Sequence, residues 1–152
     1  MRARPESSKR EPFSTGRVIP YAERFSPSEY TRLQEGLIPR AMEDKWFVYF
    51  DEPHLFLHRR WSGRPVYRVK LSADAEGVCV TEALCVFDVS PWLETTGAAY
   101  QSQLLDFLIG NLLLGKAKPF PLPPGYVEPV KGALQRKIFG TGYPQTPSKL
   151  RD

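Results

Sequence analysis

The chain has 152 residues, 41% hydrophobic and 25% charged, with a formal charge of +4 and 15 prolines. That length supports one domain with a real core rather than two, and about twice the usual share of proline implies extended segments beside it. No apolar run nears the roughly 18 residues of a membrane span, and Met1-Arg2-Ala3-Arg4-Pro5 leads into no signal-like apolar stretch, so a cytoplasmic protein without a membrane partner is expected.

Charge and proline are unevenly spread. Residues 1–28 hold six Lys/Arg against three Asp/Glu, residues 29–115 eight against twelve, and residues 116–152 seven against two. An acidic centre between basic ends follows. Such ends attract nucleic acid or acidic partners by steering and counterion release, though neither has a dense block of five to eight cations. Pro119, Pro121, Pro123 and Pro124 forbid a helix and remove ladder donors, so that stretch should be extended, with Phe120 and Leu122 laid over the domain. The expected organisation is a basic, Pro-containing arm over 1–25, one α+β domain over 26–115, and a basic Pro/Gly-rich extension over 116–152.

In chain order, Ser26-Pro27-Ser28-Glu29 carries a helix start: Ser as N-cap, Pro at the first position and Glu three residues after the cap. The helix should reach Glu35 and stop at Gly36. From Trp46 the period becomes that of strands: 46–50, 54–60, 65–71 and 78–87, with 61–64 as a turn. Connections this short favour a four-stranded antiparallel meander. Thr95-Thr96-Gly97 then opens a helix to Leu114, whose stripe of Leu104, Leu105, Leu108, Ile109 and Leu112 should cross the sheet. Residues 133–139 form a short helix or strand. The fold class is therefore α+β: a meander on a C-terminal amphipathic helix, a short N-terminal helix and Pro-rich ends.

Cys79 and Cys85 lie six apart in one extended strand, a separation of roughly 20 Å that no disulfide spans. Both read as small core residues. Two His and no CxxC argue against zinc, and no nucleotide, hydrolase or metalloprotease motif is present, so no cofactor or metal is implied.

Strand alternation puts Leu55 and Leu57 with Tyr67, Val69 and Leu71 toward the helix. It leaves Phe56, His58, Arg60, Arg68 and Lys70 on the other face, an aromatic among cations suited to an anion or a stacked base. The strand 78–87 is apolar on both faces (Val78, Val80, Leu84 and Val86 against Cys79, Ala83, Cys85 and Phe87), which asks for cover on both: the Pro-rich extension or a homodimer partner. Glu82 needs a cation, Arg59 or Lys70. The densest functional run is His58-Arg59-Arg60-Trp61-Ser62-Gly63, because Trp and Arg at a hairpin tip are hot-spot residues. The candidate ligand-binding residues are His58, Arg60, Trp61, Arg64 and Arg68, with no catalytic or metal residue assigned. Glu43 and Asp44 read as a salt-bridged entry to the first strand.

Met42-Glu43-Asp44-Lys45-Trp46-Phe47, His58-Arg59 with Trp61 and Gly63, and Leu105-Asp106-Phe107-Leu108-Ile109 with Leu112-Leu113-Leu114-Gly115 together resemble a small uncharacterised bacterial protein family with no known activity. The resemblance spans residues 37–115, and Arg60 and Ser62 stand where its pattern has Ser and Thr. It implies one compact bacterial domain and nothing catalytic.

Three functions are compatible with this reading. The first is a non-catalytic cytoplasmic binding module that holds an acidic protein surface or a small anionic ligand through the 58–64 hairpin. The second is a nucleic-acid-binding protein using its basic ends and exposed aromatics, with steeply salt-dependent binding. The third is a small enzyme on a phosphate- or nucleotide-containing substrate, with His58 as acid or base beside Glu43 or Asp44.

Overall fold

The computed structural model describes residues 2–13, 16–86, 91–123, 125–128, 130–140 and 148–149, with the backbone alone for 91–96 and 148–149. Local signals set the first helix, α1 (Pro27–Glu35). Ser26 Oγ accepts the Glu29 N–H at 3.1 Å while the Ser26 N–H donates to Glu29 Oε1 at 2.9 Å, so the expected capping box forms. Gly36 ends the helix at φ 68°. A Cβ there would lie 2.3 Å from the Val48 carbonyl oxygen, so only glycine lets the chain turn back against the sheet.

The fold is α+β, a mostly antiparallel sheet with three α-helices among the described residues. Strands β3 (Trp46–Asp51), β4 (His54–Arg59), β5 (Pro65–Asp74) and β6 (Gly77–Cys85) each pair with the next. Two short strands from the N-terminal residues, β1 (Arg17–Val18) and β2 (Arg24–Phe25), both pair with β6 on its free edge. The register slips between Lys70 and Leu71, where Glu82 faces Lys70 but Val80 faces Leu71. This bulge reverses the alternation of β6. Val78 on one side of it and Ala83 and Cys85 on the other therefore all enter the core. The expected sorting of 78–87 into two apolar faces is corrected accordingly: Leu84 parts from Val78 and Val80, while Phe87 lies outside the described residues. Cys85 is buried, which pushes its thiol up to about 12, and both cysteines are free.

One sheet face carries the main core. Val48, Leu55, Leu57, Tyr67 and Val69, all fully buried, meet Leu33 of α1 and the stripe of α2 (Pro91–Leu108). The long helix differs from expectation at both ends. It is broken at Gly97 (φ 80°, ψ 161°), and a π-helical turn over Ile109–Leu113 replaces its last α-turn. Phe120, in the short strand β7 (Phe120–Pro121), is completely buried, and α3 (Ala133–Phe139) adds Leu134, Ile138 and Phe139 to the same core. Lys118 anchors the Pro-rich segment by an ion pair to Asp106 at 2.7 Å and a paired exchange with the Asn111 amide at 3.0 Å. A second two-stranded sheet pairs β7 in parallel with β8 (Ser148–Lys149).

The opposite face was expected to be cationic, and there the structure differs. β3 is apolar on this side too: Phe47 and Tyr49 are buried beside Phe56 and His58. Residues 2–13 cover them. Ala3 is 1% exposed, with its N–H on the Glu35 carbonyl at 2.6 Å. The Arg10 guanidinium lies over Tyr49 and that of Arg68 over Phe13. Arg68 also pairs with Glu82 at 3.7 Å, so the ion pair of Glu82 is with Arg68 rather than with Arg59 or with Lys70, which stands opposite it in the ladder. No described helix is long and apolar enough to cross a membrane.

Candidate functional site

At the end of the sheet where β4 turns into β5, α3 leans over the strand edge and leaves a cavity of about 440 Å³. Its cations are Lys45, Arg59, Arg60, Arg64 and Lys137, and among the described residues no carboxylate or imidazole lines it. Trp46, Trp61 and Tyr67 supply aromatic surface, and Val66, Leu104, Leu134 and Ile138 close it with apolar surface. Five positive charges around a largely apolar hollow have the chemistry to hold an anion with an organic body.

Arg59 is the centre of this arrangement. It sits directly across the ladder from Trp46 and lies over the indole at 4.9 Å. Its Nη1 donates to the Ile138 carbonyl at 2.8 Å and its Nη2 to that of Lys137 at 3.4 Å, while the Trp46 Nε1–H shares the Ile138 oxygen at 2.8 Å. Among the described residues no carboxylate lies within 4 Å of Arg59, Lys45, Arg60 or Lys137. Burial pulls the Arg59 guanidinium below its ordinary value by desolvation, but arginine keeps its charge. A half-buried cation held by two carbonyls and an indole face, with no carboxylate beside it among the described residues, favours an incoming anion.

Arg60 is held by a hydrogen bond from Nη1 to the Ala41 carbonyl, and its guanidinium covers one face of Trp61 at 4.5 Å. Trp61 remains 57% exposed. Asp44 organises the neighbouring loop by accepting the N–H groups of Arg40 and Ala41 at 2.8 and 3.0 Å, so its carboxylate serves that loop rather than the cavity. Tyr67 donates to Gln101 Oε1, and burial raises its hydroxyl well above the usual range.

The structure therefore gathers Arg60, Trp61 and Arg64 of the candidate residues and adds Arg59, Lys45, Lys137 and Trp46. Arg64 also lies 3.9 Å from Glu11. His58 and Arg68 are on the opposite sheet face, under the N-terminal residues. His58 is 0% exposed. The Gly63 carbonyl accepts from its Nδ1 at 2.9 Å, which fixes the proton there and leaves Nε2 without a partner among the described residues. The same Gly63 oxygen accepts the Glu11 N–H at 2.8 Å. Sequence reading missed Arg59 because alternation put it on the apolar face; the signal was a cation at the end of the Leu55–Leu57 side, next to an expected turn.

His58 gives the first test. Burial holds its imidazole below the ordinary value, because charging it would desolvate a cation and create a buried Nε2–H donor. The unfolded chain then binds the extra proton more readily, so stability is full above pH about 6.5 and falls as pH drops below it, by at most about 1.4 kcal/mol per unit. His54 is pulled down too, by desolvation and then by Arg68 and Lys70, but it is partly open. Urea unfolding between pH 7 and 5 should show a slope that His58→Gln flattens and His54→Gln largely retains. An unchanged slope in His58→Gln overturns the assignment.

Among the described residues no group of three or more His, Cys, Asp and Glu is placed to hold a metal ion. Comparison of the chain with known protein families, with curated proteins and with solved structures yields no match in any of the three.

Proposed function

We propose that this protein is a cytoplasmic, non-catalytic binding module that holds an anionic ligand in the cavity beside the 58–64 hairpin. The observation that carries the reading is the lining itself: among the described residues, five cations, three aromatic rings and no acid. A concave hollow suits a small ligand better than a flat acidic protein surface does. Non-catalytic binding is supported by the chemistry present. Among the described residues the lining has no imidazole or carboxylate, and the Ser62 hydroxyl accepts from the Arg64 N–H at 3.2 Å with no base beside it. The bacterial family resemblance belongs to the same proposal, because its motifs contain Lys45, Trp46, Arg59 and Trp61, all in the lining.

Inorganic pyrophosphate is the direct probe, titrated calorimetrically at low salt. Wild type should bind it, with affinity falling as salt screens the cations. Arg60→Ala combined with Lys137→Gln, both outside the core, should weaken binding by at least about tenfold per residue. Equal binding by wild type and double variant, or none by wild type, overturns the proposal.

A further inference from the structure

Resting on the anion-site reading, we infer that the cavity's ligand is a nucleotide-sized aromatic phosphate, gripped by its phosphate and its ring face but not read at its base edge. Three observations point this way. Arg64 lies 3.9 Å from Glu11, and the other four cations suit a group carrying more than one negative charge, because a lone carboxylate would leave most of them unanswered. The guanidinium of Arg59 has spent two hydrogen bonds on carbonyls, and its other N–H groups stay available to phosphate oxygens, with Lys45 and Lys137 also in the lining.

Second, Arg60 covers one face of Trp61 at 4.5 Å and is tied to Ala41, so the indole is backed by a fixed cation. At 57% exposure, and in the cavity lining, the indole keeps surface free for a planar ring. A buried or freely rotating indole would offer neither the face nor the fixed position. Third, among the described residues the lining holds no carboxylate, amide or imidazole side chain to read a base edge or a sugar hydroxyl. The Tyr67 hydroxyl is committed to Gln101, and the cations that could reach a guanine edge are those the phosphate engages. The volume of about 440 Å³ falls within the range of small-ligand pockets, roughly 300–1,000 Å³. Stacking plus charge without edge contacts is the pattern of base-tolerant recognition.

The test titrates AMP, GMP, UMP, adenosine and inorganic pyrophosphate into wild type, Trp61→Ala and Lys137→Gln, with thermal melts to verify folding. The three nucleotides should bind within about threefold of one another, and adenosine at least about tenfold more weakly. Trp61→Ala should lower nucleotide affinity by about tenfold and pyrophosphate affinity far less, whereas Lys137→Gln should lower both. Discrimination of more than about tenfold among the three bases, or nucleotide binding indifferent to Trp61→Ala, overturns this inference while leaving an anion site in place. Failure of every anion, pyrophosphate included, overturns the underlying reading as well.

Discussion

Phe107→Ala is expected to lower the free energy of unfolding by about 3–5 kcal/mol, a large part of the 5–15 kcal/mol that holds an ordinary domain together. The ring is 1% exposed in α2 and is the point where three separate segments meet. Phe120 approaches it edge-on at 5.2 Å from the Pro-rich segment, and Phe139 at 4.9 Å from the end of α3. Removing it leaves a cavity and deprives both partners of their edge-to-face contact, each worth about 0.5–1.5 kcal/mol beyond burial. The loss should therefore be felt most by residues 116–140. Urea unfolding of Phe107→Ala, Phe120→Ala and the double variant gives the coupling directly. A coupling near zero, or a loss below about 1 kcal/mol for Phe107→Ala, would mean that the C-terminal segments do not depend on this ring.

The same cluster shows what the sequence could and could not disclose. α1 was legible because its capping box, proline and terminal glycine are all within eleven residues of one another, from Ser26 to Gly36. The strands were legible because alternation is local as well. What failed was alternation carried across a bulge. One extra residue near Glu82 returns Ala83 and Cys85 to the core, so a strand that read as apolar on both sides is an ordinary one with its parity reversed. Alternation also ends where the strand ends: β4 stops at Arg59, and Arg60 in the following turn joins Arg59 at the cavity rather than His58 on the far face. The cavity-lining residues of the hairpin tip were legible from composition alone, since Arg60, Trp61 and Arg64 are polar or aromatic groups that strands do not need there. Arg59 was not, because the carbonyls that hold it belong to residues 137 and 138, 78 and 79 positions away. The N-terminal cover on Phe47 and Tyr49 was hidden for the same reason. A proline-containing basic segment gives no periodic signal, and its docking depends on Ala3, Arg10 and Phe13 meeting rings that lie in distant strands.

Gly140→Ala should be nearly as damaging as the loss of Phe107, and its effect should reach the cavity. Gly140 closes α3 at φ 95°, ψ 173°, a region that side-chain-bearing residues scarcely enter. It also bridges to Asp44, and a Cβ at this position would lie 2.3 Å from the Glu43 carbonyl oxygen and 3.0 Å from Lys45 Cγ. Backbone opposes backbone there, so no side chain can swing aside to make room. We expect the end of α3 to lift from the 43–45 loop, at a cost of about 4 kcal/mol from backbone strain and overpacking together. Ile138 would move with it, and its carbonyl is the shared acceptor of the Trp46 indole and the Arg59 guanidinium. The cavity would lose the Leu134, Lys137 and Ile138 wall in the same step. Pyrophosphate affinity should consequently fall by at least about tenfold, as for loss of a charged hydrogen bond, even at temperatures where the rest of the sheet remains folded. Gly125→Ala is the matched control. Gly125 has φ 72° but nothing within 4 Å of its Cβ position, so it carries the left-handed cost of about 1–2 kcal/mol without a collision. Denaturation midpoints and pyrophosphate titrations on the two variants then separate strain from docking. If Gly140→Ala behaves like Gly125→Ala in both, α3 does not hold the cavity closed; if it loses ligand and Gly125→Ala does not, the short C-terminal helix is part of the binding site rather than an appendage to the sheet.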